Sequence, residues 1–357
     1  MIGSSSLLEI NTNNLVHNYL YLKKLTVNNS AGATIKANAY GLGYTKVYKI
    51  LSKVGCKDFF VATLEEALKI RKINQKNNLY VLNGIQKNET SIVYSKKIVP
   101  ILNSFEEAHE INNKFIKKNK KINVGLHIDT GINRLGLNEN IDKLKTLKKL
   151  NVVILLSHLS SADEIKNKYN LYQNKIFINN IKKIQKIKKI SLANSLGIMH
   201  GKEFHYDLVR PGIAIYGGHY NNRLLKKNIK PVVTLKARIL QIKNITKNEF
   251  IGYNQTYKAK KNLTIAILGI GYADGISRKL SNKGNVYYKN YKFNIIGRVS
   301  MDSITIDISS KKNQIKRGQY MEIINKNNDI EKFAKNCNTI SNEILTSISS
   351  RVKRAYI

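Results

Sequence analysis

The fold is decided by the segment Ala33-Thr-Ile-Lys36-Ala-Asn-Ala-Tyr40-Gly-Leu-Gly43-Tyr-Thr. A short apolar run ends at Lys36, and two glycines then lead into a helical pattern that starts near Tyr44. A lysine at the end of a buried strand loses hydration, which lowers its pKa and frees the amine for a Schiff base. The helix N-terminus offers backbone N–H groups that attract an anion such as phosphate. An ordinary surface lysine also fits this segment, so the rest of the chain must decide between the two interpretations.

Short apolar runs alternate with amphipathic segments over the first 210 residues. We predict eight strands, at residues 34–36, 59–62, 79–82, 98–102, 124–128, 152–157, 190–193 and 208–209. Helices are predicted between them, among others at 11–25, 108–118, 140–150 and 163–187. Thr63 and Ser104 are expected to cap helices, since Glu66 and Glu107 follow at the capping-box spacing. Eight alternating units predict a (β/α)8 barrel of the TIM type. An open doubly wound sheet is the alternative, but no GxGxxG segment follows an early strand.

The pattern changes after Pro231, where strands are separated by turn residues and only short helices are expected. Strands are predicted at 232–245, 263–270, 293–296, 304–308 and 320–324, with helices near 329–335 and 342–349. This indicates a mostly β C-terminal domain. We therefore divide the chain into a barrel, residues 1–228, and a β domain, residues 229–357.

Composition restricts the classes of function. The net charge of +38 suggests a nucleic-acid binder, but the lysines are spread over nearly every predicted helix, and no RNA-binding signature appears. No apolar run is long enough to span a bilayer, so no membrane role is expected. Cys56 and Cys337 form no metal or redox spacing, and free thiols fit a reducing cytoplasm. No metal site is predicted.

Several polar residues fall at the C-terminal ends of the predicted barrel strands, where such barrels carry their chemistry. These residues are Lys36, Arg134, His158, Ser195 and Arg210. Each has an ordinary alternative: a turn residue, a core histidine, a helix cap or a loop residue. Their convergence on one mouth of the barrel favours a functional site.

Six motifs, in order, resemble those of bacterial alanine racemases. They are Lys36-Ala-Asn-Ala-Tyr40-Gly-Leu-Gly43, Asp129-Thr-Gly-Ile-Asn-Arg134-Leu-Gly, Ala193-Asn-Ser195, Arg210-Pro-Gly-Ile-Ala-Ile-Tyr216-Gly, Gly271-Tyr272-Ala-Asp274-Gly and Gly297-Arg-Val-Ser-Met301-Asp302. The resemblance extends from the first strand to the last residues. It implies a barrel that binds pyridoxal 5'-phosphate, joined to a C-terminal β domain.

The resemblance also implies roles for barrel residues. Lys36 would hold the cofactor through a Schiff base and act as one base. The cofactor phosphate would be bound by Tyr40, Ser195, Gly212 and Ile213. Arg210 would face the pyridine nitrogen, with His158 hydrogen-bonded to Arg210. Arg134 would approach the cofactor's phenolic oxygen and the substrate carboxylate.

Residues of the β domain complete the implied site. Tyr253 would be the second base, Met301 would offer its backbone N–H to the substrate carboxylate, and Tyr272 would shape the entrance. Racemisation needs bases on opposite faces of Cα, and lysine and tyrosine side chains both have reference pKa values near 10. In the family the residues that match Tyr253 and Met301 come from the partner subunit, so a homodimer with shared active sites is implied.

The implied activity is interconversion of L-alanine and D-alanine, supplying D-alanine for peptidoglycan. A broader amino-acid racemase or a β-eliminating lyase on the same scaffold is the alternative. Two different classes of protein also fit part of the pattern: a non-catalytic barrel that carries the cofactor, and a basic nucleic-acid binder. The second domain argues against the former, and the latter predicts no visible absorbance.

Three positions depart from the family pattern. His127 stands where many members have a lysine that becomes carbamylated and positions the arginine. Leu42 replaces a histidine, and Asn342 stands where a tyrosine is expected near the phosphate and the substrate. The smaller Asn342 leaves strict specificity for alanine open.

Overall fold

The computed structural model describes residues 4–138 and 141–357. The chain forms two compact units: one comprises residues 16–215 and 222–229, and the other the residues up to Leu15, 216–221 and 230–357. The first strand, β1 (Ser6–Ile10), belongs to the second unit, where it pairs antiparallel at Leu8–Leu235 and parallel at Leu8–Arg354. The division that we predict at residue 228 assigns this strand to the barrel, whereas in the structure it belongs to the β unit. The two assignments differ because strand pairing between distant parts of the chain is not encoded in local sequence patterns.

The first unit contains a parallel sheet whose strands pair in chain order. Its strands are β2 (Ala33–Thr34), β3 (Asp58–Val61), β4 (Asn78–Val81), β5 (Val99–Leu102), β6 (Ile122–His127), β7 (Leu150–Leu156) and β8 (Ile190–Ser191). β3 and β5 are buried along their whole length. Strands covered on both faces are typical of a parallel sheet wrapped by helices.

The closing segment, residues 208–211, joins the two ends of this sheet. It makes isolated parallel bridges from Val209 to Ala31 and from Arg210 to Asn194. Backbone hydrogen bonds reinforce them, from Gly32 N to Val209 O at 2.9 Å and from Arg210 N to Ala193 O at 2.8 Å. The predicted eighth strand is therefore present as bridges rather than as an extended strand. The predicted (β/α)8 barrel is confirmed.

The helices of this unit surround the sheet strands in sequence. They are Thr12–Lys24, whose first residues lie in the other unit, then Tyr44–Lys53, Leu64–Arg71, Thr90–Ser95, Phe105–Lys117, Tyr169–Ile181 and Arg223–Asn228. The caps predicted at Thr63 and Ser104 are confirmed, since each hydroxyl accepts the N–H of the residue three positions on.

Two predicted helices are shorter than expected. In place of the helix at 140–150, the structure has a 3₁₀ helix, Ile141–Thr146, and residue 140 lies outside the described residues. The helix predicted at 163–187 is confined to Tyr169–Ile181. Asn167 Oδ1 accepts the N–H of Tyr169 at 2.9 Å, and such side-chain capping favours a turn before the helix.

The second unit is mostly β, as predicted. Its remaining strands are β9 (Val233–Ile245), β10 (Phe250–Ile251), β11 (Tyr257–Lys258), β12 (Leu263–Leu268), β13 (Asn285–Tyr288), β14 (Tyr291–Asn294), β15 (Ile304–Asp307), β16 (Tyr320–Ile324) and β17 (Lys353–Tyr356). The main sheet has the order β14-β13-β16-β9-β1-β17, and β12 joins β9 to β15. Two helices, Ile330–Asn336 and Ser341–Ser347, follow β16.

Gly125 on β6 lies between two residues of the barrel core, Ile101 and Ile154. A Cβ at this position would lie 2.3 Å from Ile101 Cδ1 and 2.7 Å from Ile154 Cγ2. At this position of β6 the core has room for a hydrogen atom but not for a side chain.

We expect Gly125→Val to lower the free energy of unfolding by about 1–3 kcal/mol, because added methyl groups overpack a filled core. Asn123→Val is the matched control, since Asn123 is exposed on the same strand, and we expect it to change stability by less than about 0.5 kcal/mol. Urea unfolding of both variants measures the difference, and equal stabilities would contradict this view of the core.

Candidate active site

Lys36 begins an unusual left-handed turn at the end of β2. The four residues that follow it, Ala37 to Tyr40, all have positive φ, between 51° and 54°. A left-handed backbone costs a non-glycine residue about 1 kcal/mol or more, so hydrogen bonds must hold this turn. Two of them are backbone bonds, from Ala39 N to Ile35 O and from Gly43 N to Asn38 O, both 2.9 Å.

Side chains hold both ends of this turn. Glu66 Oε1 accepts the N–H of Ala37 at 2.6 Å, and Asn38 Oδ1 accepts the N–H of Tyr44 at 2.9 Å. The helix starts at Tyr44 as predicted, but Asn38 already uses its first N–H. The anion expected at this helix N-terminus therefore lacks that donor.

Arg210 on the closing segment is a buried cation inside the barrel. Its Nη1 donates to Ser191 Oγ and its Nη2 to Ser157 O, both at 2.6 Å, with a longer bond from Nη2 to Leu192 O at 3.4 Å. Burial lowers the pKa of the guanidinium to about 10, so Arg210 stays charged at neutral pH. Its Nε–H makes no hydrogen bond within the described residues.

The predicted hydrogen bond between His158 and Arg210 is not formed in the described part of the chain. Ser191, Ser157 and Leu192 take the guanidinium's bonds instead. The two residues still interact, because burial and then the charge of Arg210 hold the pKa of His158 well below its usual value. His158 is therefore a neutral neighbour of the arginine.

The Lys36 amine lies in the same electrostatic environment. Burial lowers its pKa, and the charges of Arg134 and Arg210 lower it further, while the Glu66 carboxylate raises it. The amine is thus easier to deprotonate than a surface lysine. This is the property predicted from the sequence for a lysine that forms a Schiff base.

His127, at the end of β6, is buried and has one hydrogen-bond partner. Its Nδ1 lies 2.9 Å from Asn103 Oδ1, while Asn103 Nδ2 donates to the carbonyls of Leu82 and Ile101. Because these bonds fix Oδ1 as the acceptor, His127 Nδ1 must carry the proton. Its Nε2 is then a buried acceptor without a partner among the described residues. Burial and the charge of Arg210 lower the pKa of His127 to about 4.

Arg134 lies on a loop shaped by Asp129. Asp129 Oδ1 accepts the N–H groups of Gly131, Ile132 and Asn133 at 2.9–3.2 Å, and Leu137 N returns to His127 O at 2.7 Å. The Arg134 side chain is exposed and makes no hydrogen bond to the described residues. Its charge lowers the pKa values of Lys36, His127 and His158, which places it at the same mouth of the barrel.

Ser195, Gly212 and Tyr40 meet where the phosphate is expected. Ser195 Oγ accepts the N–H groups of Gly212 at 2.9 Å and Ala214 at 3.2 Å, so its own proton remains to be donated. A Cβ on Gly212 would lie 2.4 Å from the Tyr40 hydroxyl oxygen. The N–H of Ile213 begins a 3₁₀ helix and has no partner within the described residues. These hydroxyl and N–H donors fit a phosphate.

In the second unit, close backbone contacts bring the loops of Tyr253, Tyr272 and Met301 together. A Cβ on Gly252 would lie 3.1 Å from Arg298 N, and one on Gly271 would lie 2.2 Å from Met301 O. The side chains of the three predicted residues are all exposed, at 69%, 43% and 52%. The N–H of Met301 has no hydrogen bond to the described residues.

Sequence reasoning missed three residues that support this site. Gln173 Nε2 donates to Thr130 Oγ1 and to His158 O and so joins two loops of the barrel mouth. Asn103 orients His127, and Glu66 binds the turn after Lys36. The spacing of Thr63 and Glu66 was a visible signal, but it predicted only a helix cap. No group of three metal-ligating side chains occurs in the described ranges, and no described helix is long and apolar enough to cross a bilayer.

We expect the free energy of unfolding to fall with decreasing pH because His127 is buried in its neutral form. With a pKa of about 4 in the folded chain and about 6.5 when unfolded, this contribution is complete above pH 6.5. It is lost towards pH 4, by about 3 kcal/mol in total. Urea unfolding of the wild type and His127→Gln at several pH values measures this, and a stability difference independent of pH would contradict it.

The chain matches two family models in succession. "Alanine racemase, N-terminal domain" covers residues 10–220, and "Alanine racemase, C-terminal domain" covers residues 232–356. An alanine racemase of Rickettsia akari is 40% identical over 98% of both chains, and one of Brucella abortus is 36% identical over 100% of this chain and 94% of its own.

A solved structure agrees with these matches. The crystal structure of alanine racemase from Bartonella henselae with covalently bound pyridoxal phosphate superposes with a TM-score of 0.95 at 35% identity. The match covers 99% of this chain and all of that one. The family models for both halves of the chain, the sequence relatives and the fold thus all indicate the same family. The chain belongs to the alanine racemase family of pyridoxal phosphate-dependent isomerases.

Proposed function

We propose that this chain interconverts L-alanine and D-alanine with Lys36 and Tyr253 as the two bases, one on each face of Cα. The observation that carries the proposal is the half-buried Lys36 amine, whose pKa is lowered by burial and by the charges of Arg134 and Arg210. An amine that loses its proton readily can accept one from Cα and return it. Tyr253 is exposed and available to act from the opposite face.

Pyridoxal phosphate, when bound, withdraws electrons from the bonds at Cα and thereby makes the Cα proton acidic. In this proposal Lys36 attaches the cofactor, and the hydroxyls of Tyr40 and Ser195 donate to its phosphate together with the N–H of Ile213. The N–H of Gly212 donates to Ser195 Oγ here, and it would turn to the phosphate. The unpartnered Nε–H of Arg210 would face the pyridine nitrogen, near neutral His158.

Substrate binding requires a cation for the carboxylate. Arg134 has its guanidinium unbonded within the described residues and would serve both the carboxylate and the cofactor's phenolic oxygen. The free N–H of Met301 would donate to the same carboxylate, and Tyr272 would limit the entrance. Tyr272 N donates to Ser300 O at 3.0 Å, next to Met301, which supports a common role for these two loops.

A homodimer with shared active sites is part of the proposal. Tyr253, Tyr272 and Met301 are large side chains that a single chain leaves exposed. Exposed aromatic and methionine side chains on joined loops are typical of surfaces that meet a partner. A second copy of this chain would bring them to the barrel mouth, with Lys36 and the phosphate site coming from one subunit.

The proposed role is the supply of D-alanine for peptidoglycan in the cytoplasm. The two buried free cysteines, Cys56 and Cys337, support a reducing compartment. Similarity over the full length to alanine racemases favours this reaction over a broad racemase or a β-eliminating lyase.

At Asn342, the Tyr220 hydroxyl donates to Oδ1 at 2.8 Å. Tyr220 thus supplies an aromatic ring beside the position where a tyrosine is expected.

The assignment of Lys36 is tested by substitution. Wild-type protein with added pyridoxal phosphate should racemise alanine and show a visible absorption band that borohydride removes, with the label on Lys36. Lys36→Ala should lose the band and reduce kcat by at least about a thousandfold, because both attachment and a base are removed. Racemisation at a near-normal rate by Lys36→Ala would refute the assignment, and Lys46→Ala is the control on the neighbouring exposed helix face.

Tyr253→Phe should affect the two directions of the reaction differently. The phenol would exchange the proton on one face only, so removing its hydroxyl should slow solvent-deuterium incorporation from one enantiomer more than from the other. Proton exchange is measured by NMR in heavy water, starting from each enantiomer. Small and equal losses from both would contradict the two-base scheme.

A further inference from the structure

The Glu66 carboxylate connects the lysine turn to the neighbouring strand of the barrel. Its Oε1 accepts the N–H of Ala37, directly after Lys36, at 2.6 Å, and its Oε2 accepts the N–H of Ala62, directly after β3, at 2.8 Å. Thr63 Oγ1 accepts the N–H of Glu66 itself at 3.3 Å. Glu66 is therefore fixed at its backbone N–H and at both of its carboxylate oxygens.

This arrangement differs from an ordinary capping box, in which the carboxylate binds the N–H of the capping residue. The Glu66 carboxylate instead binds the N–H of Ala62, one residue before the capping residue Thr63, and also the N–H of Ala37 after β2. A carboxylate offers acceptors at both oxygens, whereas an amide of the same shape offers one acceptor and one donor. Two N–H donors facing the group therefore require Glu and disfavour Gln.

The bond to Ala37 holds a backbone that would otherwise relax. Ala37 has φ 51° and starts a left-handed run that passes through Tyr40 and ends at Gly41, φ 78°. The four residues before Gly41 are not glycines, so contacts from outside must stabilise their conformation. Since Lys36 directly precedes Ala37, this bond also fixes the backbone position from which the Lys36 side chain extends.

We propose that Glu66 is a positioning residue for Lys36, which holds the left-handed turn against β3 and keeps one negative charge at that turn. This inference rests on the function proposed above for Lys36. Its charge acts in the opposite sense to Arg134 and Arg210, since it raises the pKa of Lys36 where they lower it. Glu66 thus limits how far the two arginines depress the basicity of the amine.

The chain repeats the same device at a place that does not carry the lysine. Glu107 Oε1 accepts the N–H of Ile85 at 2.8 Å, its Oε2 accepts the N–H of Asn103 at 2.9 Å, and Ser104 caps its helix. The groups that shift the pKa of Lys36 include Glu66 but not Glu107. Glu107→Gln is therefore a matched control with the same lost bond and the same lost charge.

The test compares Glu66→Gln, Glu66→Asp and Glu107→Gln in the full-length holoenzyme. Glu66→Gln should move the pH midpoint of the visible cofactor band, which follows protonation of the Lys36 nitrogen, to lower pH by about half a unit or more. It should reduce kcat about tenfold with less than about a twofold change in KM. Hydrogen exchange should become faster in the peptide that contains residues 36–43.

Glu66→Asp separates charge from reach. It keeps the carboxylate but shortens the side chain, so the pH midpoint should stay near that of the wild type while exchange of residues 36–43 becomes faster. Glu107→Gln should leave the midpoint and this exchange as in the wild type, although it lowers the melting temperature. These contrasts identify an effect on Lys36 beyond the general cost of losing a buried bond.

The outcomes separate this inference from the proposed function. If Glu66→Gln and Glu107→Gln give the same midpoint, the same kcat and the same exchange near Lys36, Glu66 is structural only and the inference is refuted. If the wild type shows no visible band that borohydride attaches to Lys36, the proposed function itself fails. A wild type with that band, together with a Glu66→Gln variant that matches Glu107→Gln in all three measurements, overturns only the role of Glu66.

Discussion

The structure of the site depends on one buried positive charge, that of Arg210. The barrel holds it with Ser191 Oγ and the carbonyl of Ser157, and its guanidinium carbon lies 5.9 Å from the centre of the Phe60 ring. A cation removed from water acts strongly on its neighbours because little solvent screens it. Burial is the main cause that lowers the pKa of Lys36, His127 and His158, and the charge of Arg210 lowers all three further. Burial and this cation together keep two histidines neutral and make one lysine easier to deprotonate.

The mouth of the barrel therefore has a positive potential supplied by Arg210 and Arg134, surrounded by neutral rings. The neighbouring carboxylates are already bonded to backbone N–H groups, those of Glu66 at the lysine turn and Asp129 in the Arg134 loop. Such a surface is complementary to anions, and both the phosphate of pyridoxal phosphate and the carboxylate of an amino acid are anions. The chemistry at Cα then needs groups that remove and return a proton.

Much of this could be read from the sequence, since strand runs, caps and the polar residues after strands are local patterns. Thr63 and Ser104 indicated the starts of their helices, and Arg210 before Pro211 and Gly212 marked the last unit of the barrel. The left-handed turn was not foreseeable, because Ala37-Asn38-Ala39 contains no glycine to indicate positive φ. The assignment of β1 to the second unit depends on pairing with residues more than 200 positions away. The second hydrogen bond of Glu66 likewise spans 29 positions and has no local signal.

The closing segment forms a seam in the barrel, where isolated bridges stand in place of an extended strand. The strands beside it, β2 and β8, are two residues long, and Val209 and Arg210 join them through isolated bridges. The groups that would bind the cofactor come from both sides of this seam: Lys36 and Tyr40 follow β2, and Ser195 follows β8. A ligand that bonds to both sides favours the closed ring over an opened one, by an amount that grows with its concentration relative to its dissociation constant. Binding of the cofactor would thus stabilise the closed barrel, and the fraction of protein that holds cofactor would be coupled to the stability of the fold.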